Sequence, residues 1–561
     1  MKIKFFLIFC LLTVNSTFAD ECALETCIKC EQNCNNENCQ ISCNKDNLFG
    51  KTFFSVRPQD SNSARKLMNL ANRTKLLYEG FCGSVGFSIA WQNSFDKDKD
   101  AQLGKWFFFN GKNCMTVGTP GNGQIFDVNA NQIGMSLGNI SLLPNPILTP
   151  GFIGEVCINP EIENLIFDLD IRFDLDHFMC GLWTEFDFVF ARTRTNLNLK
   201  NREQVKLTQQ IFPPGFMTLG CVTSPVPYLC IQDAFKGDKE IGVIPELMCG
   251  KFSQGEMVKS GLAGIHIDLG YDFVKNERGY FAAALDVVIP TGTRPSSKFL
   301  FEPVVGANKS WQVGGILQGA YVLNPYSDKK IAFHFNSVIT HLFKSRQERL
   351  FSLKNNGPGS QYLLLKEFVF LGQEGGSNLI GGQRAANILC GEADIGADVM
   401  FDGSIMLQLN LCRTFFNLGY NLWARSKEKI DDTICLKNFA ENRYGIKGDF
   451  PLTKQTSFTC DQAFICATDP RTASNSTIAQ SSTTDIENGE ESTIFIQPSD
   501  IDFCTPLHPN AISHKIFGSI GFNYNTLKNF WYFQVCGELE FSPNNRALNQ
   551  WALTFQAGAS F

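Results

Sequence analysis

The feature that most restricts this chain is a period of two. Leu165, Phe167, Leu169, Ile171, Phe173 and Leu175 form one row, opposed by Asp168, Asp170, Arg172, Asp174 and Asp176. Successive side chains of a strand point to opposite faces, whereas an amphipathic helix repeats every 3.6 residues. The run is therefore a strand, and its length matches the roughly 9–11 residues that a tilted strand needs to cross a bilayer. The pattern recurs. Val85, Phe87, Ile89 and Trp91 alternate with small and polar residues. Ile265, Ile267, Leu269, Tyr271 and Phe273 face away from His266, Asp268 and Asp272. Phe281 to Ile289, Trp311 to Leu323, Ile331 to Phe343, Val399 to Leu411 and Phe416 to Ala424 repeat it. Short connections, such as 275–279 and Cys412-Arg413, make antiparallel hairpins the natural pairing.

No apolar run beyond the N-terminus is long enough for a spanning helix. A membrane-resident form of this chain must then be a closed barrel, because only helices and barrels satisfy every backbone group in lipid. The expectation is an all-β fold: an antiparallel transmembrane β-barrel of about 12–14 strands over 81–561, with 105–130 the uncertain part of the count. Long loops are expected at 195–260 and 427–513. The stretch 471–493 is rich in Ser, Thr and Glu and is expected to be flexible.

The N-terminus reads as an export signal over 1–19. Lys2 and Lys4 precede the apolar Phe5 to Val14, and Ser16-Thr17-Phe18-Ala19 is a small-residue cleavage site. The formal charge is −6; losing both lysines with the signal takes it to −8, which argues against nucleic acid as a partner. Of 21 cysteines only Cys10 lies in the signal. An even twenty in an exported chain points to disulfides and an oxidising compartment.

Residues 20–80 form a cysteine-rich segment with almost nothing apolar between Cys22, Cys27, Cys30, Cys34, Cys39 and Cys43. Such a segment needs staples. The Cys27–Cys30 spacing also invites a zinc or redox reading, but after a signal peptide disulfides are favoured, in any of fifteen pairings. Cys435, Cys460, Cys466 and Cys504 form a second even set, flanking 471–493 within the 427–513 loop.

By parity, Asp168, Asp170, Arg172, Asp174, Asp176, Glu185, Asp187, Asp268, Asp272, Asp286, Asp402, Glu538 and Glu540 face away from the apolar rows, toward a lumen. Acidic rings favour cations in pores. A cation-preferring channel is one expectation, and a lumen that is merely polar is the other. Neither a catalytic centre, a metal nor a cofactor is expected. Gly134-Met135-Ser136-Leu137-Gly138 has the GxSxG spacing, but Pro144, Pro146 and Pro150 forbid the helix that a nucleophile elbow needs. His266 beside Asp268 has no convincing nucleophile to act with. Four N-x-S/T sites beyond the signal segment, at Asn72, Asn139, Asn308 and Asn475, would suit a cysteine-rich extracellular β protein, a reading that leaves the C-terminus unexplained.

That C-terminus carries the sharpest signal. Trp551, Leu553, Phe555, Ala557, Ala559 and Phe561 form one row to the last residue, opposite Thr554, Gln556 and Ser560. The segment resembles the C-terminal assembly signal of Gram-negative outer-membrane β-barrel proteins, in which a terminal Phe follows alternating hydrophobics. The resemblance implies an outer-membrane location, with membrane lipids and the barrel-assembly machinery as partners and porin-like diffusion of small solutes as the activity. The cysteine load is similar in kind to that of the cysteine-rich major porins of obligate intracellular bacteria. That likeness implies a disulfide-cross-linked, homo-oligomeric or structural envelope role as the alternative, with a barrel-embedded hydrolase behind it. Leu285 to Gly292 also looks like a strand-end motif of transporter-like barrels.

Overall fold

A computed structural model describes Thr26–Lys29 and, with short breaks, residues 49–73, 83–95, 103–118, 153–205, 228–370, 377–446 and 495–560. Twelve strands close into one barrel. They are β1 (Gly83–Ser94), β2 (Glu161–Asp174), β3 (Leu182–Asn196), β4 (Met257–Asn276), β5 (Gly279–Ile289), β6 (Gln312–Val322), β7 (Lys329–Leu342), β8 (Val399–Leu411), β9 (Thr414–Arg425), β10 (Ala511–Asn525), β11 (Phe530–Phe541) and β12 (Gln550–Ser560). Every strand pairs antiparallel with its chain neighbours, an up-and-down meander. The seam joins β1 to β12 from Ser84 opposite Ser560 to Ser94 opposite Gln550. The strand count falls at the lower end of the expected range: within 105–130 the described strand, Cys114–Gly118, pairs with Ile153–Cys157 outside the barrel.

Alternation becomes an inside and an outside. Along β11 exposed and buried residues alternate from Phe530 to Glu540. Outward rows such as Phe533, Val535 and Leu539 are exposed, while Gln534, Glu538 and Glu540 are buried. Aromatic rings gather at both rims of the apolar band. Trp91, Trp311, Phe343 and Trp551 lie at one, with Trp91 and Trp551 edge to face at 4.9 Å. Phe273, Phe281, Tyr321, Tyr524 and Trp531 lie at the other. Such girdles sit where a membrane meets water.

The two ends differ. At one rim the connections 175–181, 277–278, 323–328, 412–413 and 526–529 are short. At the other, 95–160, 197–256, 290–311, 343–398 and 426–510 are long. The described parts of these long connections are folded into a cap. One of its cores holds Trp106, Phe107, Phe235, Phe252 and Phe301; the other holds Leu350, Phe351, Leu389, Ile395 and Ile434. Short sheets tie the cap together, among them Ser345–Leu350, Cys390–Ala397 and Glu428–Leu436 side by side. The expected loops at 195–260 and 427–513 thus contain packed structure; 471–493 lies outside the described residues.

The cap has a pH-sensitive point. His508 is buried, with Phe54 edge-on at 4.8 Å and Arg425 donating to its Nδ1 at 2.7 Å. Burial first, then the Arg425 charge, hold the imidazole well below its ordinary value. A base depressed on folding contributes stability that is present above its unfolded pKa and is lost as pH falls below it. Protease sensitivity of the cap should therefore rise as pH drops below about 6.5. His508→Gln should flatten that profile.

Candidate functional site, a plugged lumen

The lumen is occupied by the chain's own N-terminal side. Residues 49–73 were expected to belong to a separate cysteine-rich piece, yet they run through the barrel from the cap to the short-turn end. At the cap, Lys51 Nζ donates to the carbonyls of Thr505 and Leu507 at 2.7 and 2.8 Å. The stretch then forms helix α1 (Ser63–Arg73). Asn62 caps it, its Oδ1 accepting from the Arg65 backbone N–H at 3.2 Å. Ala64, Leu67, Met68 and Ala71 make one apolar stripe, packed on Met406, Phe517 and Cys536 of the wall. Leu70 meets Trp183 and Tyr280.

Polar contacts fix the plug's direction. Near the cap, Arg57 donates to Asp402 Oδ2 at 2.7 Å, to Glu540 Oε1 at 3.1 Å and to Asn421 Oδ1 at 3.0 Å. Asp402 also accepts from the Ser63 backbone N–H at 3.1 Å, placing a carboxylate at the positive end of α1. Midway, Arg65 Nε bonds Glu538 at 2.8 Å, and Lys66 Nζ lies 2.7 Å from Asp187. Towards the short turns, Asn69 Nδ2 donates to Asp170 Oδ2 at 2.5 Å. Asn72 is buried there, its Nδ2 bonded to the Met68 carbonyl at 3.1 Å, so the folded barrel gives a glycan no access to it. Two wall glycines make room for the plug. A Cβ on Gly86 would come within 2.5 Å of Asn69 Nδ2, and one on Gly264 would collide with the Asp60 carboxylate.

The sequence-predicted lumen residues fall as follows. Asp168, Asp170, Arg172, Glu185, Asp187, Asp268, Asp272, Asp286, Asp402, Glu538 and Glu540 are buried on the inner face. Asp174 and Asp176 sit instead at the short-turn rim, 3.3 and 3.7 Å from Lys275 Nζ. Arg172 stacks over Trp183 at 3.8 Å and reaches towards Glu185 at 3.5 Å. On the strands, ten buried carboxylates face three buried cations, Arg172, Arg425 and Lys515. The plug supplies Arg57, Arg65 and Lys66. The acidic face expected to line an open lumen therefore meets the plug's cations at Asp187, Asp402, Glu538 and Glu540. A small cavity beside Asp60, Lys66, His266 and Asp402 has room for a few waters. His266 Nδ1 lies 3.2 Å from Asp286, a pairing of acid and base with no nucleophile in that contact.

Of the cysteines, Cys435 and Cys504 are disulfide-bonded. A further bridge, Cys114–Cys157, joins adjacent cap strands. Cys27 lies opposite Cys435 in strand register. Cys22, Cys30, Cys34, Cys39, Cys43, Cys460 and Cys466 lie outside the described residues, as do Phe561 and the GxSxG stretch. Trp551, Leu553, Phe555, Ala557 and Ala559 form one row of β12, with Leu553 and Phe555 exposed on the outer face. Period-two patterning does not reveal the plug. Its signal is present: the spacing Ala64, Leu67, Met68, Ala71 between Arg65, Lys66 and Arg73 is helical.

A closed antiparallel barrel, apolar and aromatic-rimmed outside and polar within, is a transmembrane β-barrel of the outer-membrane type. No protein-family model and no curated protein matches the chain. Among solved structures it is similar to the COG4313 outer membrane channel from Pseudomonas putida F1, at 10% identity and TM-score 0.31, over 90% of this chain and 100% of that one. It is also similar to the translocator domain of autotransporter NalP from Neisseria meningitidis, at 6% and 0.27, over 89% and 95%. The Pseudomonas putida toluene transporter TodX gives 8% and 0.28, over 92% and 96%. The twelve-stranded fold itself rests on the strand register above.

Proposed function

We propose that the barrel passes small solutes across the outer membrane, cations in preference, and that residues 49–73 gate it. The observation that carries this reading is the way the lumen is filled. One segment, contiguous in sequence, occupies it and is held mainly by ion pairs and hydrogen bonds to an acidic wall. Barrels of about eight strands fill their interior with side chains of their own strands, whereas wider ones need a separate segment to close them. With the plug withdrawn, the wall would present its carboxylates to water, the arrangement that favours cations. The test is conductance and reversal potential in a planar bilayer under a salt gradient, for the intact chain and for a chain lacking 49–73. Cation-biased steps that grow on deletion are the expected result. Silence from both proteins, each shown folded by its heat-dependent gel mobility, would sink the reading.

A second reading, cross-linking within the envelope, has its own observation. Cys180 and Cys412 are free and exposed, and both sit in short turns at the same rim of the barrel. Two thiols on one rim of an exported protein can bridge neighbouring molecules. Non-reducing gels of intact cells should then show ladders that collapse in the Cys180→Ser, Cys412→Ser double variant. Ladders that persist unchanged would remove these two thiols from the account.

A further inference from the structure

Three chain segments distant in sequence bring soft and hard donors together inside the cap. Cys249 comes from the connection between β3 and β4, Glu348 from strand Ser345–Leu350 and Cys390 from strand Cys390–Ala397. Both sulfurs and a carboxylate oxygen of Glu348 lie within 4.8 Å of one another. Cys390 Sγ is 3.1 Å from Glu348 Oε1. Both cysteines are buried, at 8% and 1% exposure, and neither is in a disulfide.

The surroundings hold this group in place. Asn387, three residues before Cys390, accepts from the Met248 backbone N–H at 2.7 Å and donates to the Glu246 carbonyl at 2.8 Å, fixing the segment that carries Cys249. Lys437 sits 2.8 Å from the other oxygen of Glu348. Its backbone N–H bonds the Cys390 carbonyl at 3.2 Å. A carboxylate turned in toward two buried thiols, with a lysine behind it, has no use in a disulfide. It is what a metal site has: three ligands, and an outer partner that orients one of them.

The geometry points to a structural site for a borderline-soft divalent cation, zinc by chemistry, held by Cys249, Cys390 and Glu348. Two sulfurs and an oxygen are a zinc-type donor set. Bond lengths of about 2.3 Å to sulfur and 2.0–2.2 Å to oxygen put such ligands somewhat under 4 Å apart; Cys390 Sγ and Glu348 Oε1, at 3.1 Å, would move slightly apart, and all three donors already lie within 4.8 Å. Binding would release both thiol protons. Two thiolates and one carboxylate around a divalent ion leave one negative charge, which Lys437 offsets. The fourth position would take water. Such an ion would clamp the 228–256 connection to the central sheet of the cap, over the mouth of the barrel.

The test is metal content of the full-length protein purified from zinc-supplemented cells, with cobalt substitution as the spectroscopic check. One more equivalent of zinc is expected in the native chain than in the Cys249→Ser, Cys390→Ser double variant, with sulfur-to-cobalt charge-transfer absorption in the native chain alone. Glu348→Gln keeps the thiols and the fold, and should weaken zinc binding by about tenfold or more. Lys437→Gln should cost about tenfold, as outer-shell changes do. Peptide mapping that finds Cys249 joined to Cys390 in the protein as isolated would overturn the site. Equal zinc in native and double-variant chains, both folded by gel mobility, would do the same.

Discussion

Reversing two charges on the plug, Arg65→Glu with Lys66→Glu, is expected to turn a nearly closed barrel into one with large, long-lived, cation-biased conductance steps. Each substitution breaks a buried pair, Arg65 with Glu538 at 2.8 Å and Lys66 with Asp187 at 2.7 Å. It also places a new carboxylate against an existing one. Breaking a buried pair costs about 3–5 kcal/mol, because the surviving charge is left unpaired. Two such losses exceed the roughly 5.5 kcal/mol that carries a two-state equilibrium from 99:1 to 1:99. The barrel should survive, since the twelve-strand ladder contains neither residue. Gly86→Val approaches the same end without touching a charge, by filling the space where Asn69 lies against β1. Planar-bilayer recordings check both. Conductance unchanged in both folded variants would mean that α1 is a fixed part of the wall and not a gate.

A tag inserted ahead of Thr26 should be detected on intact cells by an antibody that cannot cross the outer membrane. The chain enters the barrel at the cap, where Lys51 is bonded to the 505–507 carbonyls, and leaves it at the short-turn end, where β1 begins at Gly83. Thr26–Lys29 accordingly pairs with residues 433–436 of the cap, antiparallel. In barrels of this type the long connections face outward and the short turns face the periplasm. Thr26–Lys29 then lies on the outer side of the membrane. Labelling of intact cells at this position, against none for a tag within the 526–529 connection, is the expected contrast. The opposite pattern would reverse the orientation given to the whole barrel.

What could be read from the chain alone follows from what each pattern is made of. The barrel was legible because lipid outside and polar groups inside write themselves residue by residue: Leu169 exposed and Asp170 buried could be assigned by parity alone. The inner acids were legible for the same reason, while their partners were not. Asp402 meets Arg57 across 345 residues of chain, a contact that no local spacing encodes. Asp174 and Asp176 shared the parity of Asp170, but parity does not say where a strand ends, and they fell at the rim beside Lys275. The cap was read as loop because its strands are short and its cores draw on several connections, leaving each segment without a period. The approach of Cys249 to Cys390 was illegible for the same reason, since 140 intervening residues hide their neighbourhood.

The seam between β1 and β12 acquires a second meaning from the path of the plug. Here the ring of strands closes around a strand of its own polypeptide, with a folded cap on one side and β1 itself on the other. The molecule is threaded like a bead whose string is part of the bead. Its N-terminal side can enter the ring by being pulled through lengthwise as an unfolded chain, or by lying in place before the seam shuts. It can leave only by the reverse of those routes. The order of assembly is thereby restricted by topology as well as by energy: residues 49–73 either lie in place before the first and last strands meet or are threaded through the closed ring unfolded. A mature molecule that loses its cap contacts still keeps its thread until those two strands part or the segment unfolds and slides out lengthwise.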